Sequence, residues 1–284
     1  MIMSINQVAV IGAGTMGAGI ASVVSLHNEV VLIDVSTEQL QKATANVEKT
    51  LAKWLEKGLI TAEASTAARA RLSTSTTMDP VAKVDLVIEA VPEIMDIKKS
   101  VFSKLASFVP NDTIVATNTS GLNISEMAVL LENPSRVLGV HFFNPVPVMK
   151  LVEVIRANTT GDTVFRTAFE WIQKIGKDPV EVSEHPGFVV NRILIPMINE
   201  AAWTLADGVA SATDIDKAMK LGANHPIGPL ALADMIGIDV CLAIMENLQA
   251  KLPAGKKYEP APALRELAVA KKLGRKTGEG FFKY

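Results

Sequence analysis

A glycine pattern near the amino end constrains this chain more than any other stretch. Gly12-Ala13-Gly14-Thr15-Met16-Gly17 stands between an apolar run, Val8 to Ile11, and a run of helical spacing that begins near Met16. In a strand–turn–helix setting each glycine has its own task. Gly12 permits the tight turn, Gly14 lets a pyrophosphate approach the backbone, and Gly17 lets the helix pack close to the strand. The N–H groups at the helix start then face the phosphates, where the helix dipole favours negative charge. A second apolar run, Glu29 to Ile33, ends at Asp34, about 20 residues on, where a carboxylate takes the ribose hydroxyls. The pattern predicts dinucleotide binding. A carboxylate at Asp34 repels a 2′-phosphate, so NAD is expected over NADP.

The chain has 284 residues, which at roughly 150 residues per domain predicts two domains. A net charge of −2 gives no global pull toward nucleic acid or an anionic membrane. Cys241 is the single cysteine, which excludes an internal disulfide and a thiolate metal cluster; no metal is expected. The N-terminus lacks a basic leader and passes straight into the first strand, so a cytoplasmic protein is expected. The apolar stretch Phe188 to Ala206 is as long as a membrane span. Asn191, Arg192, Asn199 and Glu200 interrupt it, and Pro196 would kink it. It reads as a buried helix.

Strand and helix signals alternate through the first part of the chain. Strands are expected at 8–11, 29–33, 72–74, 85–90, 113–117, 137–141, 151–156 and 178–182. Helices are expected at 16–26, on to Gly58 after a Ser36–Gln39 capping box, at 61–71, at 125–131 and at 163–175. Another is expected along the face Ile97, Val101, Leu105 and Phe108. This is the pattern of an α/β, Rossmann-type, doubly wound and mostly parallel sheet. The strand at Leu151 follows its predecessor too closely for a helical crossover, so it should run antiparallel. After His185-Pro186-Gly187 the strand signals stop, and helices are expected at 188–207, 213–221, 230–248 and 263–272. The reading is a dinucleotide-binding domain over 1–185 and an all-α domain over 186–284.

In an open α/β sheet, ligands lie outside the carboxyl ends of the strands. That rule selects Asp34, Glu93, Asn118, Ser120 and His141. His141 is the one histidine of the four at such a position. If the strands at 137–141 and 151–156 pair antiparallel, Glu153 reaches its ring, fixes the tautomer and steadies the imidazolium. The other ring nitrogen is then available to take a proton from a substrate hydroxyl as hydride passes to a nicotinamide. A purely structural His–Glu pair is the alternative. Ser120 and Asn191 are neutral groups suited to holding substrate oxygens, or else a helix cap and a core amide. Lys42, Lys49, Lys53 and Lys57, with Thr50 nearby, form a basic stripe on the long helix after Asp34. It is either a solvated face or a phosphate site for a substrate carrying its own nucleotide.

Taken together these residues resemble the 3-hydroxyacyl-CoA dehydrogenase family. The stretches that carry the resemblance are Val10 to Gly17, Ala116 to Ser120, His141 to Glu153, Pro186 to Arg192 and Gly274 to Phe281. It extends over essentially the whole chain. It implies that His141 is the general base, Glu153 its partner, and Ser120 and Asn191 the substrate-positioning groups. It implies NAD contacts from Gly12, Ala13, Gly14, Thr15, Met16, Gly17, Asp34, Glu93, Lys98, Asn118, Ser120, Asn144 and Lys276. Contacts with an acyl-CoA substrate are implied for Thr50, Lys53, Lys57 and Ser120, and a homodimer joined through the helical domain. Two positions depart from the family pattern: Gly121, where many members have a second serine, and His185, before Pro186-Gly187. The rival readings are a dehydrogenase of a small hydroxy acid lacking coenzyme A, and a non-catalytic NAD-binding structural relative.

Overall fold

The apolar run before the glycine pattern becomes the centre of a sheet. β1 (Gln7–Ile11) pairs in parallel with β2 (Glu29–Ile33) on one side and β4 (Leu86–Glu89) on the other. Val8, Ala9 and Val10 are fully buried, as expected for a strand covered on both faces. The computed structural model describes residues 4–253 and 255–284. Its sheet adds β3 (Leu72–Ser75), β5 (Ile114–Thr117), β6 (Val137–Phe142), β7 (Leu151–Arg156) and β8 (Asp178–Ser183) in the order β3-β2-β1-β4-β5-β6-β7-β8. The β6–β7 pair is antiparallel and the other pairs are parallel. The chain moves outward from β1 to β3, then restarts at β4 and moves the other way. The switch point therefore lies between the carboxyl ends of β1 and β4.

The connecting helices are α1 (Thr15–Val24), α2 (Thr37–Glu56), α3 (Ala62–Ala70), α4 (Met95–Leu105), α5 (Ile124–Ala128) and α6 (Asp162–Lys174). α2 buries Leu40, Ala43, Val47 and Leu51, and Ser36 Oγ caps it by accepting from Gln39 N at 3.2 Å. α4 differs from its expected face. Of that face, Leu105 is buried and Val101 half-buried as expected, while Ile97 is 39% exposed, Phe108 lies beyond the helix at 38% exposed, and Lys98 and Phe102 are buried instead. Lys98 is drawn inward to a carboxylate on β4, an interaction that an apolar count does not register.

Contacts within the chain divide it into two compact units, Met1–Glu184 and His185–Tyr284. The second is built from α7 (Val190–Ala206), α8 (Ala212–Gly222), α9 (Pro229–Ile236), α10 (Ile238–Lys251) and α11 (Pro262–Val269). Ile198, Ala202, Leu230, Met245 and Leu248 lie in its core. The single helix expected over 230–248 is two helices, broken at Gly237, whose φ of 112° is closed to most side chains. After α10 the chain forms a short 3-10 turn, Gly255–Tyr258, with Tyr258 buried. α7 continues through Pro196. Among the described residues no helix is long and apolar enough to cross a membrane.

The carboxyl-terminal tail is tied down by one buried acid. Asp234, 1% exposed on α9, accepts from Phe281 N at 2.8 Å, Phe282 N at 2.9 Å and the Tyr284 hydroxyl at 3.1 Å. Gly274 and Gly280 leave room for this crossing: a Cβ on Gly280 would stand 2.0 Å from Asp234 Oδ1. Replacing Asp234 by Ala strands two main-chain donors. We expect a loss of about 2 kcal/mol in urea unfolding followed through Trp203 fluorescence.

Candidate active site

The loop after β1 has the shape that a dinucleotide requires. Gly12 adopts φ 103°, and a Cβ there would meet the Ala90 carbonyl oxygen of the β4 exit at 2.7 Å. A Cβ on Gly17 would fall 1.8 Å from Gly12 O, so α1 sits this close to the loop only because residue 17 lacks a side chain. Around Gly14 the space is open, with nothing within 4 Å of a built Cβ, and the first turn of α1 has no side-chain cap. An uncapped helix start beside open space suits a diphosphate. Asp34 closes the loop from β2: Oδ2 accepts from Ala13 N at 2.8 Å and Oδ1 from Ser36 N at 3.0 Å. These residues fit NAD.

Across the switch point, β4 and β5 end in a buried ionic network. Glu89 is fully buried and accepts from Lys98 Nζ at 2.7 and 3.0 Å, Val91 N at 2.8 Å and Thr117 Oγ1 at 2.6 Å. Lys98, also fully buried, lies 3.4 Å from Glu93 Oε2. Glu93 Oε1 accepts from Thr119 Oγ1 at 2.6 Å and Ser120 N at 2.7 Å. Lys98 thus has no exposed surface to offer a ligand. Its ammonium lies beneath the site and fastens Glu93, which in turn holds the Thr119-Ser120 backbone.

His141 and Glu153 meet through sheet register. In the antiparallel β6–β7 pair they stand directly opposite. Such positions bring Cβ atoms within about 5.5 Å on the same face. Nδ1 of His141 lies 2.7 Å from Glu153 Oε2, with the two residues 5% and 1% exposed. The ring packs on Phe143, centroid to centroid 4.4 Å. Asn118, at the end of β5, accepts from Phe142 N at 2.9 Å, so it braces the strand that carries the imidazole.

The other selected residues are placed as follows. Asn144 is exposed in the loop after β6. Thr50 and Lys53 lie in the carboxyl half of α2 and Lys57 is the residue just past its end, the lysines exposed; Thr50 Oγ1 also donates to Asn46 O at 2.8 Å. In the second unit, Asn191 lies in the first turn of α7. Lys276 is paired with Asp239, its Nζ 2.7 Å from Oδ2.

The family model for the 3-hydroxyacyl-CoA dehydrogenase NAD binding domain matches residues 7–185, and the one for the C-terminal domain matches 187–284. The chain belongs to the 3-hydroxyacyl-CoA dehydrogenase family. Its first unit is the family's NAD-binding domain, and the cofactor is NAD. The chain is 49% identical to the 3-hydroxybutyryl-CoA dehydrogenase of Clostridioides difficile, over 98% of this chain and 99% of that one. It is 41% identical to the mitochondrial hydroxyacyl-coenzyme A dehydrogenase of Rattus norvegicus, over 99% and 91%. The crystal structure of (S)-3-hydroxybutyryl-CoA dehydrogenase from Ralstonia eutropha superposes with a TM-score of 0.96, at 46% identity over 99% of both chains.

Within this 3-hydroxyacyl-CoA dehydrogenase fold, sequence reasoning passed over Glu89, Thr117 and Thr119. Glu89 carries a visible signal, a charge at the end of the apolar run Leu-Val-Ile. The threonines carry none, since a hydroxyl's partner depends on packing. Because Glu89 and Lys98 are both withdrawn from water, removing one leaves the other uncompensated. Lys98→Met should cost about 3–5 kcal/mol in denaturant unfolding, and adding Glu89→Gln should return much of it. Equal losses in the single and double variants would contradict the pairing.

Proposed function

We propose that this chain is an NAD-dependent (S)-3-hydroxyacyl-CoA dehydrogenase acting on short acyl chains, interconverting 3-hydroxybutyryl-CoA and acetoacetyl-CoA. The observation that carries the reading is the buried His141–Glu153 contact of 2.7 Å at the carboxyl end of β6. The short-chain assignment is supported by relatives named 3-hydroxybutyryl-CoA dehydrogenase at 49% and 46% identity over nearly the full chain.

NAD, when bound, accepts or returns the hydride at C3 of the acyl group. The chain's own residues do the rest. The loop Gly12 to Gly17 holds the diphosphate on main-chain N–H groups, and Asp34 holds the ribose hydroxyls. His141 Nε2 takes the 3-hydroxyl proton in oxidation and returns it in reduction. Glu153 accepts Nδ1–H, keeps the acceptor nitrogen toward the substrate and steadies the imidazolium. Ser120 and Asn191 hold the substrate oxygens, and Asn118 and Glu93 order the backbone around the nicotinamide. Asn144 and Lys276 complete the cofactor contacts. Thr50, Lys53 and Lys57 meet the coenzyme A phosphates, which gives the exposed lysine stripe a ligand in place of solvent.

We also propose a homodimer joined through the helical unit. The support is exposed apolar surface there, with Ile193 67%, Val209 71% and Leu221 77% exposed. A cytoplasmic site of action accords with one buried cysteine, Cys241, whose thiol burial pushes up to about 12 and so keeps unreactive.

The test is oxidation of NADH by acetoacetyl-CoA, followed by absorbance. His141→Ala and Glu153→Gln should each lower kcat by about 10²- to 10⁴-fold with NADH affinity nearly unchanged. Near-normal turnover in either would refute the acid–base assignment. The Asp34 carboxylate predicts far higher catalytic efficiency with NADH than with NADPH; equal efficiencies would contradict that role.

A further inference from the structure

Residues 143–150 carry the chain from β6 to β7, and so from His141 to Glu153. Both strands are buried on both faces, apart from the end residues of β7. Apolar alternation therefore does little to choose their register, and the connection carries much of that choice. The connection is held from two sides. On one, it packs on α1 at Gly19, where a Cβ would stand 3.0 Å from the Val146 Cβ and 3.1 Å from its Cγ2. On the other stands Lys177, just before β8 and only 7% exposed. Its ammonium donates to the carbonyl oxygens of Val146 at 2.5 Å and Met149 at 2.7 Å. Burial draws this amine below its ordinary value, opposed by the charge of Asp178. A cation withdrawn from water to hold two main-chain carbonyls is a costly fastening. A methionine or leucine would fill the same space without fixing where those carbonyls point.

We propose that Lys177 is a positioning residue for hydride transfer: it fastens the 143–150 loop against α1 and β8, and so holds His141, Glu153 and Asn144 in register with the glycine loop. It acts through the loop rather than on substrate. The inference rests on the reading of His141 as the proton-transfer group, and the test separates the two.

The full-length chain is compared as wild type, Lys177→Met, Lys177→Ala and His141→Ala. NADH fluorescence titration counts competent sites, and stopped-flow single turnover with acetoacetyl-CoA gives the hydride-transfer rate per site. Lys177→Met should bind NADH at wild-type stoichiometry yet transfer hydride about 10- to 100-fold more slowly, the scale of a displacement near 1 Å. Ethylammonium chloride should restore part of the rate in Lys177→Ala where sodium chloride does not. A merely structural lysine would lower the number of competent sites and leave the rate per site unchanged. That outcome, or an equal response to both salts, overturns the proposal. Should Lys177→Met fail to fold, Gly19→Ala displaces the same loop from the α1 side, and a wild-type rate per site there overturns it equally. An active His141→Ala removes the underlying reading, whereas an inactive His141→Ala beside a fully active Lys177→Met removes the Lys177 proposal alone.

Discussion

The antiparallel pairing of β6 with β7 is the constraint on which the proposed chemistry depends. It sets Glu153 directly opposite His141. A slip of one residue would turn Glu153 to the other face of the sheet and place Val152 or Val154 behind the ring. Apolar neighbours could not orient an imidazole or steady its charge. A parallel sheet alone does not produce this contact, since parallel neighbours arrive through long crossovers. The single reversal in the sheet brings two residues close in sequence into direct contact.

The rest of the first unit supplies a fixed frame for that contact. The switch point between β1 and β4 opens the dinucleotide site, and the close approach of Gly12 to Ala90 makes the two strand exits one surface. The Glu89–Lys98–Glu93 network then carries order from the buried end of β4 to the Thr119-Ser120 backbone after β5. Asn118 extends it to Phe142, next to the imidazole. Buried charges cost stability unless paired, and Glu89 and Lys98 are paired with each other.

Much of this was legible in the sequence because it follows from periods and spacings. The alternation of strands and helices predicted the parallel sheet, and the short gap before Leu151 predicted the reversal that joins His141 to Glu153. What escaped was side-chain pairing across distance. Lys98, expected among the cofactor contacts, is fully buried on Glu89. Lys177 gave no signal, because its acceptors are main-chain carbonyls, which every residue possesses. The split of the helix expected over 230–248 turned on the positive φ of Gly237, a property of the fold around it rather than of the local pattern.

The most direct test of the His141–Glu153 account is the tautomer of the His141 ring in the resting enzyme, read by nitrogen-15 NMR of labelled histidine and assigned by loss of the signal in His141→Gln. A carboxylate behind Nδ1 predicts that the neutral ring carries its proton on Nδ1 and leaves Nε2 unprotonated, with that preference weakened in Glu153→Gln. A neutral ring protonated on Nε2 would leave no acceptor for the substrate proton and would contradict the account.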